Sequence, residues 1–281
     1  MERNGSLSDV WLVWLWRKDL GDESHTSLTI NQDDANGKRE WIAKVKSILA
    51  DVDEERMVFE KFDPSRKMTI YIHDGAHVKP GDVAFVVEGA VRSLLQTERT
   101  MLNIMQRMSG IATMTARYQE KLAGLKTKVL DTRKTTPGMR MLEKEAVKIG
   151  GGMNHRIGLF DMILIKDNHV DFAGSITNAV NRARAYLKEK GKDLKIEVEV
   201  RNTPEIEEAL GLGVDRIMLD NFTPERTREA VKLIGGRCEI ESSGGITLDT
   251  LREYGECGVD YISVGALTHS VKGLDMSFKA C

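Results

Sequence analysis

One rhythm governs the chain from about residue 125 to residue 266. Six short apolar runs recur: TKVLDT (127–132), DMILIKDN (161–168), LKIEVEV (194–200), DRIMLDN (215–221), RCEIESSGG (237–245) and DYISVGA (260–266). Between them lie segments of helical periodicity at 175–191, 203–213, 223–236 and 248–258. Parallel strands need a long crossover, usually a helix, so this alternation predicts βαβ units and a parallel sheet. Several of the helical segments open on Ser, Thr or Asp and close at Gly, as side-chain N-caps and left-handed C-caps require. Six strands with short connections predict a closed or nearly closed α/β barrel. An open doubly wound sheet is the alternative, and no GxGxxG follows the first strand, which argues against a dinucleotide-binding fold.

Each run ends in polar residues, and in an α/β barrel those ends converge on one rim, where active sites sit. The formal net charge is only −2, so no overall basic field recruits nucleic acid or membrane, and anion binding has to be local. Local cations are plentiful: Arg133, Lys134, Arg140, His155, Arg156 and Lys166. Guanidinium forks match carboxylate and phosphate oxygens in pairs, and cations crowded into one pocket await a multiply anionic ligand. GGGMNHRIGLFD (150–161) reads as a glycine-loosened loop that presents His155 and Arg156.

Opposite them, Glu199 and Asp220 offer hard carboxylate oxygens of the kind that hold Mg²⁺ with few protein ligands plus substrate oxygens. Glu197 shares a strand face with Glu199, and one of the two can serve as a structural partner for an arginine. ESSGGIT (241–247) and SVGALT (263–268) are glycine-rich loops behind the last two strands, placed to offer backbone N–H groups to a phosphate. The predicted ligand is a phosphorylated sugar beside a carboxylate-rich partner, with magnesium.

Residues 1–100 read as a separate α+β domain. Strand-like pieces occur at RMVFEKFD (56–63), MTIYIHDG (68–75) and GDVAFVVEGA (81–90), with helices expected around 8–19 and 38–51. The stretch 93–124 carries two helical segments meeting near Ser109-Gly110 that bridge the domains, and its Met-rich TMLNIMQRM reads as core. VWLVWLW (10–16) is too short to span a bilayer and lacks a basic leader, so it reads as a buried helix rather than a signal peptide. Cys238, Cys257 and Cys281 are odd in number and widely spaced, which disfavours a disulfide framework or structural zinc and fits a reducing cytoplasm. HDGAH (73–77) reads as a plain turn, and His169 and His269 as packed, hydrogen-bonded histidines.

ERTMLN (98–103), RMSGIAT (107–113), DTRKTTPGMR (131–140), GGGMNHRIGL (150–159), LIKDNHV (164–170), EVEV (197–200), LDNF (219–222), ESSGGI (241–246) and YISVGALTHS (261–270) together resemble one family. It is the quinolinate phosphoribosyltransferases, or carboxylating nicotinate-nucleotide pyrophosphorylases, a type II phosphoribosyltransferase family. KDLGD (18–22) and KPGDV (79–83) extend the likeness, which covers roughly residues 15–280. The resemblance implies a pentosyltransferase that converts quinolinate and 5-phosphoribosyl 1-diphosphate to nicotinate mononucleotide, CO₂ and diphosphate with Mg²⁺, in de novo NAD biosynthesis. It implies an N-terminal α/β sandwich (1–106, joined by the tail 271–281) and an incomplete, open α/β barrel (107–270). It also implies a cytoplasmic homodimer, or a higher assembly, with Arg99 supplied across the subunit interface.

Position by position, the resemblance makes Arg133, His155, Arg156 and Lys166 quinolinate-binding cations, joined by Arg99, with Thr132 alongside and Lys134 facing phosphate. It assigns Glu199 and Asp220 to the ribose and the metal. Ser243, Gly244, Gly245, Val264, Gly265 and Ala266 become the 5′-phosphate loops, and Lys134, Lys166, Glu199 and Asp220 the catalytic set. Three alternatives stand beside this reading. One is a paralogous phosphoribosyltransferase acting on another acid; another is an aldolase using Lys166 as a Schiff base; the third is a non-catalytic ligand sensor.

Overall fold

The computed structural model describes residues 17–32, 35–52, 56 and 63–281. Residues 8–16 of the helix expected around 8–19, with VWLVWLW, and most of the strand-like piece at 56–63 lie outside the described residues; residues 17–20 are helical. The chain forms two compact units. One holds residues 1–114, 137–150 and 271–281, the other residues 115–136 and 151–270. Among the described residues no helix is long and apolar enough to cross a membrane.

The first unit contains helix α1 (His25–Ile30) and strands β1 (Asn36–Ala43), β2 (Ser47–Ile48), β3 (Lys67–Ile70), β4 (His77–Val78) and β5 (Val83–Ala90). The C-terminal strand β12 (Met276–Ala280) joins three of these in an antiparallel sheet of order β12-β1-β5-β3. The helix expected around 38–51 is thus corrected to strand: β1 pairs on both sides, Trp41 opposite Phe278 and Glu40 opposite Val86. Trp41 and Ala43 share one strand face and are both buried, which is the two-residue period of a sheet. Trp41 stacks on Phe85 with ring centroids 6.2 Å apart, and Phe85 lies the same distance from Phe278. HDGAH forms a turn at 74–75 that leads into β4.

Helix α2 (Val91–Lys121) is a single 31-residue helix, where the sequence suggested two segments meeting at Ser109-Gly110. Residues 91–114 of it belong to the first unit. Leu94, Met101, Leu102 and Met105 recur at helical spacing and join the core cluster of Trp41, Phe85 and Phe278. Ser109 and Gly110 allow close approach instead of ending the helix. The Ser109 hydroxyl accepts the Ala50 N–H at 3.0 Å, and a Cβ at Gly110 would meet the Lys272 carbonyl oxygen. A further helix of the unit, α3 (Arg140–Ile149), is tied to α2 by Glu143, whose carboxylate accepts from Arg107 Nε at 2.9 Å.

All six apolar runs of the second unit form strands: β6 (Lys128–Leu130), β7 (Ile163–Ile165), β8 (Ile196–Val200), β9 (Arg216–Asp220), β10 (Glu239–Ser243) and β11 (Tyr261–Ser263). They make one parallel sheet of order β6-β11-β10-β9-β8-β7. A closed barrel would pair β6 with β7; here those two are the edges, and a single bridge from Leu130 to Met153 lies beside β6. The chain is therefore α/β, with an antiparallel-sheet unit and an open α/β barrel.

The crossovers are α4 (Asp167–Ala173), α5 (Ile176–Lys190), α6 (Thr203–Gly211), α7 (Pro224–Ile234) and α8 (Leu251–Gly255), with the short α9 (Ala266–His269) after β11. Ser175, Asn202 and Thr223 cap α5, α6 and α7 by accepting the N–H of the residue three positions on. Gly191 and Gly235 close α5 and α7 in the left-handed conformation.

In an open helix interior, glycine to alanine stabilises by roughly 1 kcal/mol. Gly110→Ala is expected to do the reverse, at a cost of about 1–3 kcal/mol, because the new methyl meets a carbonyl oxygen. The urea midpoint, at unchanged m-value, measures the sign.

Candidate active site

The carboxyl ends of the six strands surround a cavity of about 830 Å³. Thr132, Arg133 and Lys134 enter it behind β6, and His155 and Arg156 from the β6–β7 connection. Lys166 and Asp167 come after β7, Glu199 from β8, and Asp220 and Asn221 from the end of β9. Glu241 and the loop 243–247 come from β10, and Ser263, Val264, Gly265, Ala266 and His269 from the last strand and its loop. Every predicted site residue except Arg99 thus borders one space. Arg99 is exposed on α2 in the first unit, and Arg140, counted among the sequence's cations, opens α3 in that unit.

The buried Asp131 accepts the His155 N–H at 2.8 Å, while Met153 N–H bonds the Val129 carbonyl at 2.9 Å. Together they lay the glycine-rich segment alongside β6. Asp161 then accepts the N–H groups of Ile157 and Gly158 at 2.7 and 2.8 Å, closing the turn behind Arg156. Burial holds the Arg156 guanidinium below its usual pKa, and the positive charge of Arg133 pushes it further the same way. Two guanidiniums held this close are a receptor for negative charge.

Beneath them lies a group of buried charges that the sequence reading did not assemble. His155 Nδ1 accepts the Arg156 N–H at 2.7 Å, so the ring proton sits on Nε2. Nε2 lies 3.0 Å from Glu197 Oε2 and 3.4 Å from Glu241 Oε2. These three groups have donor atoms within 4.8 Å of one another, the spacing of a metal site. A protonated ring nitrogen cannot be a ligand, however, so the trio is a cluster of buried titratable groups within reach of one another.

Burial raises the Glu197 carboxyl to about 7, with Arg216 opposing the shift. Burial, then the negative charge of Glu197, raises Glu241 to about 8. Arg216 compensates the pair: its guanidinium lies 3.1 Å from Glu241 and 3.0 Å from Glu239, and stacks 4.2 Å over the Tyr261 ring. The signal for Glu241 was strand alternation. It shares a face of β10 with Ser243, a residue already assigned to the site.

On the opposite wall Lys166 Nζ sits 3.5 Å from Glu199 Oε2. Burial raises the Glu199 pKa; Lys166 opposes this, and the charges of Asp220 and Asp167 add to it. Three mutually repelling carboxylates with hard oxygens suit Mg²⁺, whose double charge would relieve that repulsion. His169 is hydrogen-bonded, its Nδ1 accepting the Lys166 N–H at 2.9 Å, but it is exposed rather than packed as expected. His269 departs from expectation in the same way. It is exposed on the cavity rather than packed, with Nδ1 2.6 Å from the Ser270 hydroxyl.

The anion loops depend on missing side chains. Gly244 and Gly245 have φ of +99° and +63°, which only glycine adopts freely. A Cβ at Gly265 would stand 3.0 Å from His269 Nε2 and 3.2 Å from Lys134 Cδ. These approaches leave main-chain N–H groups as the natural contacts for a phosphate.

Fold and site together define a class: an α/β-barrel enzyme whose cavity sets paired guanidiniums beside carboxylates and glycine loops. The family models described as quinolinate phosphoribosyl transferase, N-terminal and C-terminal domain, match residues 25–109 and 111–279. The chain belongs to the quinolinate phosphoribosyl transferase family. It is 43% identical over 278 residues to the chloroplastic nicotinate-nucleotide pyrophosphorylase [carboxylating] of Oryza sativa subsp. japonica, covering 93% of this chain and 74% of that one. It is 42% identical over 260 residues to the probable nicotinate-nucleotide pyrophosphorylase [carboxylating] of Bacillus subtilis, covering 92% and 89%. The crystal structure of NadC from Streptococcus pyogenes superposes with a TM-score of 0.93 at 40% identity, covering 99% of this chain and 98% of that one.

The raised carboxyls make stability depend on pH. Between their ordinary value of 4.5 and their folded values of about 7 and about 8, the folded chain binds more protons than the unfolded one. Stability therefore falls as pH rises through that window. Glu241→Gln, which cannot ionise, is expected to shrink the melting-temperature difference between about pH 5.5 and about pH 8.5 by roughly half. Thermal melts of both proteins at the two pH values measure it.

Proposed function

We propose that this protein transfers the phosphoribosyl group of 5-phosphoribosyl 1-diphosphate to quinolinate, releasing diphosphate and CO₂ and leaving nicotinate mononucleotide. The observation that carries the reading is the pairing, in one cavity, of the Arg133 and Arg156 guanidiniums with the Gly244–Gly245 and Gly265 loops. A pyridine dicarboxylate is a planar dianion, and only fixed cations can replace the water it loses on entering. Arg133, Arg156 and Lys166 pair with its two carboxylates. His155, both of whose ring nitrogens already face protein groups, fixes the Arg156 main chain. Lys134 and the glycine-loop amides hold the phosphates of the second substrate.

Glu199 and Asp220 orient the ribose. They would also hold Mg²⁺, directly or through water and substrate oxygens, and that ion would neutralise charge on the diphosphate. Within this frame the ribose C1–O bond breaks, its electron pair leaving with diphosphate. The lone pair of the pyridine nitrogen forms the new C1–N bond. The nitrogen is then positive, and the bond from its neighbouring ring carbon to the carboxylate breaks. The electron pair stays on that carbon, beside the positive nitrogen; CO₂ leaves and the carbon takes up a proton. The protein contributes positioning and electrostatics, with no covalent intermediate.

The proposal extends to a homodimer in which a second copy of the chain supplies Arg99, and to a reducing cytoplasmic setting. The free thiols of Cys238, Cys257 and Cys281 support the latter.

Incubation with quinolinate, 5-phosphoribosyl 1-diphosphate and Mg²⁺ should yield nicotinate mononucleotide and one CO₂ per turnover. Product formation only from a different pyridine acid would replace the reading with a paralogous one. Arg133→Ala should weaken quinolinate binding by about 2 kcal/mol, roughly 30-fold in Kd by calorimetry. Unchanged affinity would remove Arg133 from its role. Chelation of divalent cations should stop turnover while quinolinate binding persists.

A further inference from the structure

Asn221 lines the cavity beside Asp220 and the Ser243–Gly245 loop, and four features converge on it. Its backbone is left-handed, with φ +54°, a conformation that side chains other than glycine seldom adopt. Its N–H donates to the Ser243 carbonyl at 2.9 Å, tying the end of β9 to the end of β10. Its side-chain Nδ2 donates to Asp220 Oδ2 at 2.7 Å. A Cβ at Gly244 would lie 2.7 Å from Asn221 Cγ and 2.9 Å from its backbone nitrogen, so the glycine loop is pressed directly onto this residue. Asp220, Asn221, Ser243 and Gly244 all line the same cavity.

A glycine would occupy a left-handed position at less conformational strain. An asparagine there keeps a side chain, and that side chain reaches both the carboxylate in front of it and the loop beside it. We propose that Asn221 is a positioning residue that couples Asp220 to the Ser243–Gly245 loop, so that ribose hydroxyls and 5′-phosphate are gripped by one preorganised unit. The inference rests on the functional reading above, which puts the ribose at Asp220 and the phosphate at the glycine loop. Committing Asp220 Oδ2 to Asn221 leaves the other carboxylate oxygen for the ligand. Fixing that direction before binding removes an ordering cost that the ligand would otherwise bear.

The test uses ribose 5-phosphate as the probe of both halves and quinolinate as the control, each titrated calorimetrically. Asn221→Gly keeps the left-handed backbone and removes the side chain. Asn221→Asp keeps the outline and sets a second carboxylate against Asp220. Each variant should weaken ribose 5-phosphate by about tenfold or more while quinolinate stays within about twofold. In turnover, KM for 5-phosphoribosyl 1-diphosphate should rise and KM for quinolinate should not. In an Asp220→Asn background, the loss caused by Asn221→Gly should shrink to about threefold or less, because the two residues act as a pair.

Unchanged ribose 5-phosphate affinity in both variants would overturn the proposal. So would a loss that persists undiminished beside Asp220→Asn, or a parallel loss of quinolinate affinity, which would mean general loosening. If the unsubstituted protein binds no ribose 5-phosphate and makes no nicotinate mononucleotide, the functional reading falls and takes this inference with it. An active parent with indifferent variants sinks the coupling alone.

Discussion

Parallel hydrogen bonding across six strands aims every carboxyl end the same way, and the chemistry of the barrel follows from that constraint. Each strand can then be apolar along its length and still deliver one or two polar residues to a common rim. The sheet order leaves β6 and β7 unpaired with each other. Beside that open edge, the Leu130–Met153 bridge and the Asp131 carboxylate hold the glycine-rich segment against β6. His155 and Arg156 reach the cavity from this irregular stretch. The barrel's incompleteness is thus part of how the cations are placed.

Beneath the rim, the barrel interior carries charge where a purely structural core would be apolar. Glu197, Glu241, His155 and Arg216 are all buried, and each would be costly alone. They are tolerable as a set. Arg216 bonds Glu239 and Glu241 and lies over Tyr261, while the main-chain N–H of Arg156 pins the ring proton of His155 on the nitrogen that faces the carboxylates. Part of the remaining negative charge is removed by protonation, as the raised carboxyl values express. Arg216 thus offsets much of the charge buried in the floor of the site, and Arg133 and Arg156 line the cavity.

How far the molecule was legible in its sequence varied with the range of the interactions involved. The six barrel strands and their capped helices were readable because apolar runs, Ser or Thr caps and closing glycines are local signals. Residues 38–51 were misread because their strand exists only through partners at 83–90 and 276–280, far along the chain. Ser109-Gly110 looked like a break, since glycine weakens an isolated helix; its reason is the approach of the Lys272 carbonyl. Most of the site was found as charged residues at strand ends. Glu241 and Asn221 escaped: one sat inside an apolar run, and the other lay among the polar residues at a strand's end with no role of its own.

The sequence by itself determined the alternation of strand and helix, the polar character of each strand's carboxyl end, the glycine-rich loops behind the last two strands, and the family. These are properties of residue type and spacing, which survive without knowledge of contacts. Only the tertiary structure decided that the barrel stays open between β6 and β7. It also decided that His155 turns its ring inward to two glutamates, and that Asn221 joins Asp220 to Gly244. Those outcomes depend on distances between residues remote in the chain, and burial, charge pairing and steric exclusion act only once the fold has brought them together.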